Sequence, residues 1–297
     1  MRTIHALVAI VLLAPAGAPA AAERRPQPPT SPRLYVFDCG RLEGGDTSRF
    51  RLKPEEMATT DMSVACYLVV HPKGTLMWDA GAVPDSEITD ITPDKSGSPT
   101  RYRIVLPNKA ERFVTTRTSL KTQLAAAGYA PGDIDYLALS HYHYDHTANA
   151  NEFAASTWLV RPVERDAMLA STPPDLLQPA TYSSLRNSKT IPITTSDYDV
   201  FGDGTVVLKW TPGHSPGHQV LFLKLAKTGP LVVSGDLYHY PEERTLNRIP
   251  TFEADQQQTA ASRAALDAFM KKAGARLWIQ HDFNANARLR KAPGYYE

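Results

Sequence analysis

The chain has 297 residues, 42% of them hydrophobic, which suffices for one large or two small domains with a real core. Lys and Arg number 32 against 31 Asp and Glu. That balance gives no basis for nucleic acid or an anionic membrane as the main partner, and favours a small, largely uncharged ligand.

The N-terminus, "MRTIHALVAIVLLAPAGAPAAAERRPQPP", sets Arg2 before an apolar run and closes with A-x-A patterns between Ala18 and Ala22. This reads as a secretory signal peptide over 1–22, too short for a comfortable membrane span. The expectation is a periplasmic or secreted protein with no membrane contact after cleavage. A Pro-rich tether over 23–32 follows, and then one globular domain over 33–297. Cys39 and Cys66 could pair in an exported protein. The preferred reading is two separate buried thiols on neighbouring strands, because a core of this size needs no staple.

Along the chain, "RLYVFD" and "SVACYLVVH" read as strands, and "GTLMWDAG" as a short buried strand after a turn. The stretch 82–113 reads as a long flap. "SLKTQLAAAGY" has helical spacing. The strand "DYLALS" leads directly into a histidine cluster. "STWLVRP" is a strand and "VERDAMLAS" a helix. "TVVLKWTPGHSPGHQVLFLKLA" reads as strand, Pro/Gly loop, strand. "GPLVVSGDLYHY" and "RLWIQHDFN" are strands that end at Asp236 and His281. Between them "ADQQQTAASRAALDAFMKKAGA" is the best amphipathic helix. Two central sheets flanked by helices fit this order, and every polar group of interest falls at a strand end.

Three of nine histidines lie within "SHYHYDHTAN". In an extended segment residues two apart face the same way, so His141 and His143 can share one ion. A helix starting near Asp145 would turn Asp145 and His146 toward a second position. Imidazole and carboxylate donors suit zinc. His214 in "TPGHSPGH" completes the first set, His281 the second, and Asp236 in "SGD" can bridge the two. The stretch "TPGHSPGH" also offers His218.

The H-x-H-x-D-H run, "TPGHSPGH", "SGD" and the late His together resemble the metallo-β-lactamase superfamily over nearly all of the chain from Arg33 on. "LMWDAG", "APGDIDYLALSHYHYDH" and the spacing between ligand motifs are most similar to the N-acyl-homoserine lactone hydrolases within it. The resemblance implies an αββα sandwich of two mixed sheets, and two divalent cations, expected to be zinc. It implies Asp79 as the partner that orients a ligand histidine. The expected activity is opening of the lactone ring of an acyl-homoserine lactone by water activated between the cations. Asp145 or Asp236 would carry the proton. Where these lactonases commonly place a Tyr, three residues after the bridging Asp, this chain has His239, flanked by Tyr238 and Tyr240; His239 or Tyr238 is expected to meet the substrate oxygen. Ile88, Ile91, Tyr102, Ile104, Val105 and Leu106 of the flap are the expected walls of the acyl pocket. A homodimer stays open.

The competing readings are a zinc β-lactamase, a thioesterase on the same fold, and a zinc-binding protein without activity. The first generally lacks an acidic ligand at the place of Asp236. The second should show a basic patch and no export signal. The third conflicts with an intact ligand set.

Overall fold

The computed structural model describes residues 26–88 and 99–297. The signal segment, the first tether residues and Ile91 lie outside the described residues. The first sheet has nine strands. Eight of them come first in the chain: β1 (Arg33–Leu42), β2 (Met62–His71), β3 (Gly74–Trp78), β4 (Thr100–Val105), β5 (Glu111–Thr116), β6 (Tyr136–Ala138), β7 (Thr157–Val160) and β8 (Thr190–Pro192). The second sheet comprises β9 (Asp197–Asp199), β10 (Val206–Trp210), β11 (Gln219–Leu225), β12 (Gly229–Val233) and β13 (Arg276–Trp278). The last strand, β14 (Tyr295–Tyr296), returns to pair with β1. Six helices are described: α1 (Leu120–Ala126), α2 (Tyr144–Thr147), α3 (Pro162–Met168), α4 (Pro241–Thr245), α5 (Gln256–Ala273) and α6 (Phe283–Arg288).

Strict alternation in β2 explains the layering. Val64, Cys66, Leu68 and Val70 point to the outer core, while Ala65, Tyr67 and Val69 point between the sheets. β11 repeats this, with Leu221, Leu223 and Leu225 inward and Val220 and Phe222 outward under α5. A strand with both faces buried needs this near-continuous apolar run. The central ladder is antiparallel from β1 to β3 and parallel from β3 through β6 and β7 to β8, so both sheets are mixed, as expected. Asp255 caps α5 by accepting from the backbone of Gln257 and Gln258, and Gly274 ends it in the left-handed region.

Two expectations are corrected. Cys39 and Cys66 form a disulfide, their Cα atoms 6.1 Å apart. The β1–β2 register is broken between Asp38 and Arg41, and both side chains face the same outer core, which brings them within bonding reach. The second half of the supposed flap is a hairpin, β4–β5, that extends the first sheet. Ile104 and Leu106 are therefore core residues, 3% and 1% exposed, rather than walls of an acyl pocket.

Candidate metal centre

Strand ends deliver the donors. β6 stops at Ala138, and Ser140, His141 and His143 follow in the loop. His143 is still extended (φ −66°, ψ 155°), and α2 starts right after it. That change of backbone turns Asp145 and His146 away from His141 and His143. The loop after β10 presents His214. Gly213 (φ 138°) precedes it, and a Cβ there would stand 2.3 Å from the Thr259 backbone nitrogen in α5. Gly235 (φ 50°) does the same before Asp236, where a Cβ would meet His218 Nε2 at 2.7 Å. His281 follows β13.

These residues assemble into two groups: His141, His143, His214 and Asp236, and Asp145, His146 and His281. In each group the donor atoms lie within 4.8 Å of one another. His141 Nε2 is 2.8 Å from His143 Nδ1, and His214 Nε2 is 3.0 Å from the same atom. His146 Nε2 and His281 Nε2 are 3.3 Å apart. Asp236 lies between the groups. Its Oδ1 is 3.0 Å from both His146 Nε2 and His281 Nε2. Its Oδ2 is 3.4 Å from His214 Nε2 and 3.6 Å from His141 Nε2. Asp145 Oδ2 is 3.7 Å from His281 Nε2.

The far nitrogens fix what the near ones can do. His281 Nδ1 donates to the Ser63 carbonyl at 2.7 Å, His146 Nδ1 to Asp79 at 2.8 Å, and His214 Nδ1 to Glu253 at 3.0 Å. Carbonyl and carboxylate oxygens only accept, so each Nδ1 carries the proton and each Nε2 turns a lone pair inward. Lone pairs facing one another at about hydrogen-bond distance repel unless a cation lies among them. Asp236 Oδ1 is a buried oxygen with no hydrogen-bond partner among the described residues. The donor set thus fits two cations sharing one carboxylate.

Electrostatics separate the two groups. Burial, reinforced by neighbouring imidazoles, holds His141, His143 and His214 well below the usual histidine value and keeps them in the neutral, ligating form. Burial also opposes charge on His146, but Asp236, Asp79 and Asp145 outweigh it and raise that residue well above. For Asp236 burial is likewise overcome, by His281, His146, His141 and His239, which hold the carboxyl well below its ordinary range.

Asp79 sits at the end of β3 with φ 58°, uncommon for a non-glycine residue and a mark of a constrained site. Its carboxylate accepts from the Ser140 backbone at 2.6 Å, from His146, and from Gln280 Nε2 at 2.7 Å. His218 accepts from the Asp236 backbone at 3.0 Å and donates to the Thr211 carbonyl at 3.0 Å, so it braces the turn and does not ligate. Burial pushes it down to about 3.

Of the three residues in "YHY", His239 lines the cleft above the ligands. Tyr238 is turned away, its ring under the Arg263 guanidinium at 4.3 Å and packed in the outer core with α5. Tyr240 lines the cleft, but its hydroxyl donates to the Thr60 carbonyl at 2.7 Å. The cleft measures about 510 Å³, within the usual range for a small-molecule site. Phe50, Phe113, Phe252, Met62 and Leu176 supply its apolar surface.

Three buried carboxylates escaped the sequence reading. Glu253 holds His214. Glu164 accepts from the Tyr142 backbone at 2.9 Å, from the Ser215 hydroxyl at 2.8 Å and from the Gly217 backbone at 2.8 Å, tying both ligand loops together. Burial pushes it up to about 7. Glu243 holds His239. Only Glu243 had a signal, the third position of a helix opened by Pro241.

The family model of the metallo-beta-lactamase superfamily matches residues 59–281. N-acyl homoserine lactonase AttM of Azorhizobium caulinodans is 29% identical over 278 residues, covering 90% of this chain and all of the relative. AttM of Rhizobium radiobacter is 30% identical over 278 residues, covering 90% and 99%. The crystal structure of a quorum-quenching N-acyl homoserine lactone lactonase superposes with a TM-score of 0.70 at 26% identity, covering 89% of this chain and 97% of that one. AidC, a dizinc quorum-quenching lactonase, shares the fold at TM-score 0.58 and 19% identity, covering 90% and 94%.

Proposed function

The chain belongs to the metallo-beta-lactamase superfamily, and from that premise we propose that it hydrolyses the ring ester of N-acyl homoserine lactones. The observation that carries the reading is Asp236, one oxygen toward each donor group, in a chain whose curated relatives over 90% of its length are lactonases. Two divalent cations, zinc by the character of the donors, would when bound lower the pKa of a water and polarise the ring carbonyl. His141, His143 and His214 would hold one, Asp145, His146 and His281 the other, and Asp236 both.

The remaining work falls to the chain. Asp236 turns one oxygen toward each donor group and is 3% exposed, whereas Asp145 faces the cleft at 8% exposure. Asp145 therefore takes up the proton released as water attacks. His239 turns Nε2 toward Asp236 Oδ2 at 3.3 Å and donates to the substrate oxygen that gains charge. Burial opposes its charge, but Glu243 and Asp236 outweigh burial and raise it to about 10, which favours the imidazolium, whose Nε2–H can donate while Nδ1–H stays on Glu243. Phe50, Phe113 and Phe252 receive the acyl chain.

The disulfide, together with the N-terminal signal pattern, supports export to the periplasm or beyond. The deciding experiment is a rate comparison on the zinc-loaded protein with an acyl-homoserine lactone, a cephalosporin and a thioester. The lactone should show the highest kcat/KM. Faster cleavage of the cephalosporin or thioester would defeat the lactonase reading.

A further inference from the structure

An imidazole in the place of a phenol brings a choice that the phenol lacks. A tyrosine presents one oxygen, whereas histidine has two nitrogens, and its neighbours decide which of them the substrate meets. His239 Nδ1 lies 3.1 Å from Glu243 Oε1. A carboxylate oxygen only accepts, so Nδ1 carries a proton, and Nε2 is the atom on the cleft side, 3.3 Å from Asp236 Oδ2.

Glu243 is fully buried and engaged through both oxygens. Oε1 also accepts from the backbone nitrogens of His239 at 3.2 Å and Tyr240 at 3.3 Å. Oε2 accepts from Arg263 Nη2 at 2.6 Å. Arg263, on α5, is anchored in turn by donation to the Leu237 carbonyl at 2.8 Å. Phe50 and Phe252 stand edge-on to the imidazole, with centroids at 5.1 and 5.4 Å. One carboxylate thus grips the backbone and the ring of a single residue. A glutamate that merely capped α4 would need the backbone contacts alone.

We propose that Glu243, braced by Arg263, is a positioning residue for His239: by holding Nδ1–H it sets the ring plane and aims Nε2 toward the bond to be broken. This rests on the reading above, in which His239 meets the substrate. Neither residue is among the metal donors, so the arrangement acts on turnover and not on metal content.

The test is a double-mutant cycle of Glu243→Gln and His239→Phe in the metal-loaded chain. Turnover of N-hexanoyl homoserine lactone is measured alongside nitrogen-15 NMR of labelled imidazoles. Glu243→Gln should lower kcat by roughly tenfold or more, with KM and metal content unchanged, and should shift the His239 ring resonances. In the His239→Phe background the same substitution should add less than about a twofold change. Equal fold losses in both backgrounds, or unmoved His239 resonances, would overturn the proposal and leave Glu243 as a helix cap. Where Glu243→Gln does not fold, Arg263→Lys is read by the same criteria, since it loosens Glu243 while keeping a cation beside it. If the unmodified chain opens no lactone, the lactonase reading falls, and the NMR comparison alone decides the role of Glu243.

Discussion

The two donor groups share Asp236 and differ in charge. Around His141, His143 and His214, burial keeps the imidazoles neutral, and the carboxylate behind them is Glu253, itself raised by burial. Around His146, three carboxylates act on one ring and overcome burial. The first position would hold a cation among three imidazoles kept neutral, and the second beside a ring that three carboxylates surround. Two positions a few ångströms apart can therefore be disturbed separately through the groups behind them, and together only through the residue between them.

The largest effect should come from that residue. Asp236→Ala removes an oxygen from each position and should lower lactone turnover by at least about a hundredfold, with metal content falling from about two ions per chain. Elemental analysis with steady-state kinetics checks this. Two retained ions with near-normal activity would show that the positions do not depend on a shared carboxylate.

Next come the groups behind the ligands. Asp79→Ala frees His146 Nδ1, and Glu253→Ala frees His214 Nδ1. Each should weaken one cation by about 10–100-fold and spare the other. A competition titration against a chromophoric chelator resolves the two binding steps. If both substitutions weaken the same step, the assignment of ligands to positions is wrong.

The smallest effect should follow His218→Ala, which removes the acceptor for the Asp236 backbone but leaves its carboxylate in place. A loss of roughly tenfold or less in kcat/KM is expected, at unchanged metal content. A loss equal to that of Asp236→Ala would make His218 part of the metal centre.

Much of this was legible in the chain. The β-branched and aromatic content of "SVACYLVVH" marked a strand, and β2 forms there, with both faces in cores. The helix ending in Gly274 was marked by its polar–apolar spacing. The seven candidate donors come together at strand ends in two groups. The hairpin β4–β5 was hidden because it is an edge: "TRYRIV" alternates half-buried with exposed positions and carries arginines, so it reads as loop. Tyr238 and His239 could not be told apart by position, because the turn after β12 decides which of two neighbours faces the cleft.

What the sequence by itself determined is the candidate donor set and the division of His141 and His143 from Asp145 and His146. An extended H-x-H followed by a helix start divides those side chains whatever surrounds them, since the division depends only on backbone periodicity. What only the tertiary structure decided is which distant groups stand behind each donor. Glu253 meets His214 across 39 residues and Asp79 meets His146 across 67. Cys39 reaches Cys66 through a local break in register. Such contacts are set by how sheets and loops pack, and no local pattern encodes a partner that far along the chain.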